Sequence, residues 1–133
     1  RVALAGGPMD GERLAVLRPH VEVDLSGEPL AVVASALKRV GLLVGNDSGL
    51  VHVASAFGTP ALALFGPTSV RRWGPAPPGE ALSLGLSCSP CSNHGGDACP
   101  LGHHDCLEKL SVEQVLSAAR RLLSRGRWSP AHR

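Results

Sequence analysis

The sequence predicts a doubly wound parallel α/β fold, and three observations carry that expectation. Short apolar runs alternate with segments of helical spacing along most of the chain. The runs are apolar throughout rather than alternating with polar residues, as strands buried on both faces of a parallel sheet must be. The length of 133 residues fits one domain, 1–133, because domains most often run to about 100–150 residues.

Arg1-Val-Ala-Leu-Ala5 is the first such run and ends at Gly6-Gly7-Pro8, a strand followed by a loop. Leu14, Ala15 and Leu17 then set helical spacing over Gly11 to Arg18. Val21 to Leu25 reads as the second strand, closed by Ser26-Gly27. Pro29, suited to a first helical position, opens an amphipathic helix with Leu30, Val33, Ala34, Leu37 and Val40 on one stripe. Leu42 to Gly45 is the third strand, with a helix from Leu50 to Phe57 that Gly58 stops. Ala61 to Phe65 is the fourth strand, and Leu82 to Leu86 is read as a fifth beyond the proline-rich loop Pro75–Gly79. Ser111 and Gln114 form an S-x-x-Q capping box for a last helix, whose apolar face is Val115, Leu116, Ala119, Leu122 and Leu123.

Composition removes several classes of function. Apolar residues are 44% and charged residues 18%, which excludes an intrinsically disordered chain. The net charge is +2, yet residues 1–119 hold eight Lys/Arg against eleven Asp/Glu, and Arg120 to Arg133 hold five Arg and no acid. With aromatics at 3%, this is not the basic, aromatic-interleaved surface of a nucleic-acid binder. Basic residues at the C-terminal end of a helix favour its dipole instead. No stretch offers the roughly 18–20 apolar residues that span a bilayer, since Val40 to Phe65 is interrupted by Asn46, Asp47, Ser48, His52 and Pro60. No signal peptide precedes the first strand, and the start at Arg1 without Met reads as a piece of a longer protein.

In open parallel sheets, ligands bind beyond the carboxyl ends of the strands. Four loops belong to that edge: Gly6–Asp10, Ser26–Gly27, Gly45–Gly49 and Gly66–Ser69. In Gly45-Asn-Asp-Ser-Gly49, a strand passes into a helix, so N–H groups of Ser48, Gly49 and Leu50 face outward at a helix N-terminus suited to a phosphate. Gly49 leaves room for an anion at the backbone. His52, one turn further, shares the face of Ser48. The plainer alternative is an N-cap at Asp47 or Ser48 with an ordinary helix histidine. A serine hydrolase is disfavoured because G-x-S-x-G is absent. Gly6-Gly7-Pro8 lacks the third glycine of G-x-G-x-x-G, and Asp10 and Glu12 beyond it are either ribose acceptors or a solvated helix start.

Cys88-x2-Cys91-x7-Cys99-x6-Cys106 lies in a Cys-rich loop, 87–109. The spacing admits a structural zinc, with His94, His103 and His104 as substitute ligands, or two disulfides, or free thiols. Twenty residues without periodicity need something to tie them down in a compact domain. Convergence of the four cysteines on one point is expected on that ground.

Gly45-Asn-Asp-Ser-Gly-Leu-Val-His-Val-Ala-Ser-Ala-Phe-Gly-Thr-Pro60, Leu64-Phe-Gly-Pro-Thr68, Trp73-Gly-Pro75 and Cys88-Ser-Pro-Cys91 together resemble the ADP-heptose:lipopolysaccharide heptosyltransferases of glycosyltransferase family nine. The resemblance covers nearly the whole chain. It implies a Rossmann-like domain, the C-terminal, nucleotide-sugar-binding half of a GT-B enzyme. It further implies that Asp47, Ser48, Gly49 and Leu50 hold the nucleotide diphosphate with His52, and that Gly6, Asp10 and Thr68 line the donor site. The general base is then expected in a missing N-terminal acceptor domain, so this fragment alone would bind without turnover. Heptose would pass from ADP-heptose to the lipopolysaccharide inner core, with no metal required for catalysis, in the cytoplasm or at the inner face of the membrane. A donor with another sugar, a non-catalytic nucleotide-sugar-binding domain, and a zinc-dependent interaction module are the alternatives.

Overall fold

The computed structural model describes residues 1–95 and 98–125. The chain divides into two compact units, Arg1–Ala36 and Leu37–Arg133. All three strand pairings are parallel. The strands form two ladders, two strands in the first unit and three in the second, where one continuous sheet was expected.

In the first unit, β1 (Ala3–Leu4) pairs with β2 (Val23–Asp24). The Leu25 N–H donates to the Leu4 carbonyl at 2.8 Å and carries the ladder past its last formal pair. Between them, α1 (Gly11–Ala15) ends earlier than the expected Arg18. A further helical bond to the Ala15 carbonyl would need an N–H at position 19, and Pro19 has none. A 3-10 turn over Arg18–His20 follows instead.

The next helix, α2 (Leu30–Leu37), also stops short of the expected Val40. The hydroxyl of Thr59 donates to the Leu37 carbonyl at 2.8 Å. One of the orphan acceptors that every helix end leaves is thereby satisfied by a buried side chain far along the sequence.

The second unit is a three-stranded sheet in the order β3 (Leu43–Asn46), β4 (Ala61–Leu64), β5 (Glu80–Leu82). Its helices are α3 (Gly49–Ala56), α4 (Val70–Trp73), α5 (Asp105–Glu108) and α6 (Val112–Arg125). The all-apolar run at β4 is explained by its central place. Ala61, Ala63 and Phe65 pack with Val51 and Ala54 of α3 on one side. Leu62 packs with Ala118, Ala119 and Leu122 of α6 on the other. Phe65, Leu62 and Val51 are the largest fully buried side chains. Truncating Leu62 or Phe65 to Ala costs about 2–5 kcal/mol.

Two expectations shift here, and a third holds. The fifth strand lies at Glu80–Leu82, not Leu82–Leu86, because Gly85 takes φ +62° and the Ser83 hydroxyl accepts its N–H, a turn rather than an extended run. The capping box of α6 forms, with Gln114 N–H on Ser111 Oγ at 3.2 Å and Ser111 N–H on Gln114 Oε1 at 2.9 Å. Its buried stripe is Val115, Ala118, Ala119 and Leu122, while Leu116 and Leu123 face outward. Among the described residues, no helix is long and apolar enough to cross a membrane.

The basic run at Arg120–Arg133 is used in its first part for ion pairs between α6 and the start of β5. Arg121 and Arg125 each hold one oxygen of Glu80 at 2.6 Å. The part beyond Arg125 lies outside the described residues.

Candidate functional site

The carboxyl edge of the second unit is built by the ends of β3 and β4. The ladder runs into both loops: the Asp47 N–H donates to the Leu64 carbonyl at 3.2 Å, and the Phe65 N–H to the Leu82 carbonyl at 2.9 Å. Asp47 is thus placed by the sheet itself. Ser48 follows as the N-cap residue of α3, with extended φ −152° and ψ 165°. Ser48 is thus the N-cap by position, as the plainer alternative has it, while its hydroxyl makes no capping bond to the helix. Gly49, Leu50 and His52 occupy the first turn, where Gly49 and His52 are exposed and Leu50 is half-buried.

The two glycines of this edge have different reasons. A Cβ on Gly66 would lie 2.6 Å from Leu107, so α5 packs directly against the β4 loop. A Cβ on Gly49 would meet nothing within 4 Å among the described residues, and its φ is not in the left-handed region. Neither packing nor backbone conformation calls for glycine at 49.

Beside these loops is a shallow pocket of about 120 Å³. Its lining comes from Asn46 and Asp47 at the end of β3, from Leu64, Gly66, Pro67 and Thr68 at the end of β4, and from His94, Gly95 and Leu107. Thr68 is buried and Asp47 half-buried. The structure therefore brings Asp47 and Thr68 together on one pocket, with Ser48, Gly49, Leu50 and His52 following directly on α3. Gly6 and Asp10 belong to the first unit. There, Gly6 packs tightly on the Leu14 side chain, and the Asp10 carboxylate accepts the Gly7 N–H at 2.9 Å, both local jobs in a strand-to-helix turn.

His94 and Asn46 line the pocket but were not singled out as donor-site residues by sequence. Asn46 stands inside the motif already noted; His94 belongs to the cysteine loop, whose fold no local pattern predicts. The loop is tied to the site by main-chain bonds. The N–H groups of Cys91 and Ser92 both donate to the Pro67 carbonyl, at 2.9 and 3.0 Å. The Ser89 hydroxyl donates to the Gly66 carbonyl at 2.6 Å, and Trp73 Nε1–H to the Asn93 carbonyl at 3.0 Å.

The four cysteines are free thiols. Among the described residues, no three His, Cys, Asp or Glu side chains are grouped so as to hold a metal ion. The hydrogen bonds above tie the Ser89–Asn93 stretch of this loop to Gly66, Pro67 and Trp73. The thiols still differ in character. Main-chain N–H groups, first that of His104 and then that of His103, hold Cys99 below its usual value. Burial pushes Cys106 up, and the charges of Cys91, Cys99 and Cys88 within reach add to it.

Open parallel α/β sheets take ligands beyond the carboxyl ends of their strands, and here those ends carry the N-terminus of α3 beside the pocket. The chain belongs to glycosyltransferase family 9 (heptosyltransferase), whose family model matches residues 1–100. It is 36% identical over 84 residues to lipooligosaccharide heptosyltransferase 2 of Campylobacter jejuni serotype O:2, covering 62% of this chain and 25% of that protein. The protein of the same name from serotype O:6 is 34% identical over 83 residues, covering 61% and 25%.

Two solved structures are similar. The glycosyl transferase family 9 structure from Veillonella parvula matches 92% of this chain and 36% of its own, at TM-score 0.71 and 29% identity. The E. coli ADP-heptose lps heptosyltransferase II matches 94% and 37%, at TM-score 0.73 and 24% identity, a likeness of fold. The chain spans about a quarter of the length of the curated relatives it matches.

Proposed function

We propose that this chain is the donor-binding part of a glycosyltransferase that moves heptose from ADP-heptose to the inner core of lipopolysaccharide. The observation that carries the reading is the glycine at 49, open to solvent at the head of α3 beside the Asp47–Thr68 pocket and unexplained by packing or φ. Outward N–H groups at that helix end suit a diphosphate, and the absence of a Cβ lets it reach them. His52 and the free hydroxyl of Ser48 stand one turn apart on the same side, placed to hydrogen-bond the same group.

In the reaction, the bond from the sugar anomeric carbon to the diphosphate oxygen breaks and a glycosidic bond to an acceptor hydroxyl forms. Negative charge grows on the leaving diphosphate. Fixed donors aimed at that charge stabilise the transition state more than the ground state. The base that takes the acceptor proton, and the lipopolysaccharide acceptor site, belong to the portion of the full-length protein outside this chain. The names of the relatives and the quoted motifs support heptose and adenine as the donor's parts.

Titration of ADP, UDP and GDP into the full-length protein by calorimetry tests the reading. ADP is expected to bind most tightly, and Asp47→Ala to weaken it. A folded protein that binds none of the three would overturn the proposal.

A further inference from the structure

Among the described side chains that line the pocket, Asn46, Asp47, Thr68 and His94 are polar, and His94 alone can take a positive charge. A dianionic or trianionic ligand seated against Asp47 would meet a carboxylate, so a cation or strong donor elsewhere on the lining is required to offset it. His94 lines the same pocket. We propose that the His94 imidazole hydrogen-bonds the diphosphate of the bound nucleotide sugar, a role that rests on the donor-site reading above.

The geometry shows a placed side chain rather than a stray loop histidine. The turn that carries it is fixed on both sides. Asn93 is held through its carbonyl by Trp73 Nε1–H at 3.0 Å. Ser92 Oγ donates to the Gly95 carbonyl at 2.8 Å, and the Ser92 N–H reaches the Pro67 carbonyl of the Thr68 loop. The His94 ring leans on the Trp73 ring, with centroids 6.1 Å apart and planes at 50°, a tilted aromatic contact that limits its rotation. It remains exposed on its other side, free to meet a ligand. Histidine suits the place because one ring nitrogen can give a hydrogen bond to a phosphate oxygen in either protonation state.

The test compares ADP with adenosine on full-length wild type, His94→Ala and His94→Gln. His94→Ala is expected to weaken ADP about tenfold, the size of one hydrogen bond to a charged group, and to leave adenosine unchanged. His94→Gln, which keeps a donor, should recover part of the loss. Equal ADP affinity in wild type and His94→Ala would overturn the inference while leaving the donor-site reading intact. Equal losses for ADP and adenosine would also overturn it, since the ring would then be shaping the pocket rather than meeting the diphosphate. Failure of wild type to bind ADP would remove both. Unchanged thermal unfolding of the two variants certifies that the affinities compare folded proteins.

Discussion

The loops at the ends of β3 and β4 are neighbours of similar make-up, yet their glycines answer to different demands. Gly66 is buried against Leu107 and is required by the fold. Gly49 is exposed, has open space where a side chain would project, and could be almost any residue as far as the fold is concerned. A residue type that is costly at its position, and that packing does not ask for, points to what the protein does rather than to how it stands.

The strongest way to break that comparison is at Gly66. Gly66→Val is expected to destabilise by about 1–3 kcal/mol through overpacking against α5, read as a lower urea midpoint. Gly49→Val should leave that midpoint within about 0.5 kcal/mol but reduce ADP affinity at least tenfold. If both variants lost stability alike, the contrast between the loops would be gone.

A smaller effect sharpens the fold side of the contrast. The Glu80 carboxyl is held below its usual 4.5 by the hydrogen bond from Arg121, partly opposed by desolvation and assisted by the charges of Arg121 and Arg125. A depressed carboxylate contributes stability that is complete above its unfolded value and disappears as pH falls through the folded one. Glu80→Gln should therefore cost about 0.5–1 kcal/mol at pH 7 and progressively less as pH falls below the ordinary carboxylate range, measured by urea unfolding along that series.

The smallest predicted effect is kinetic. Iodoacetamide near neutral pH should label Cys99 before Cys106, since the thiolate is the nucleophile and main-chain donors favour it at Cys99 while burial opposes it at Cys106. Mass spectrometry of the labelled peptides gives the order. Equal protection of both, relieved by a chelator, would instead reveal a bound metal.

What could be read in the sequence follows from how local its cause is. The run Ala61 to Phe65 announces a strand covered on both faces, and Ser111 with Gln114 announces the start of α6, because each signal is complete within a few residues. Asp47, Ser48 and Gly49 were legible for the same reason. The β5 boundary was not, since Gly85 alone gives no sign that it will turn. Nor was the place of His94, which depends on bonds from Trp73 to Asn93 and from Cys91 and Ser92 to Pro67, links between segments that share no pattern. The expected apolar face of α6 failed at Leu116 and Leu123 because helical spacing alone allows two adjacent stripes, and the packing partner Leu62 selects one.

The Pro67 carbonyl accepts two N–H groups from the cysteine segment, and this divides the labour between backbone and side chains. Because the tie is made by amides, position 91 is free to drift in side-chain chemistry without releasing the rim of the pocket, whereas Ser92 also holds the turn of His94 through its hydroxyl. Only a residue that lacks the amide hydrogen would cut the tie. The segment can thus vary at the Cys91 thiol while the rim that carries His94 keeps its place, held also by the Ser89 and Ser92 hydroxyls.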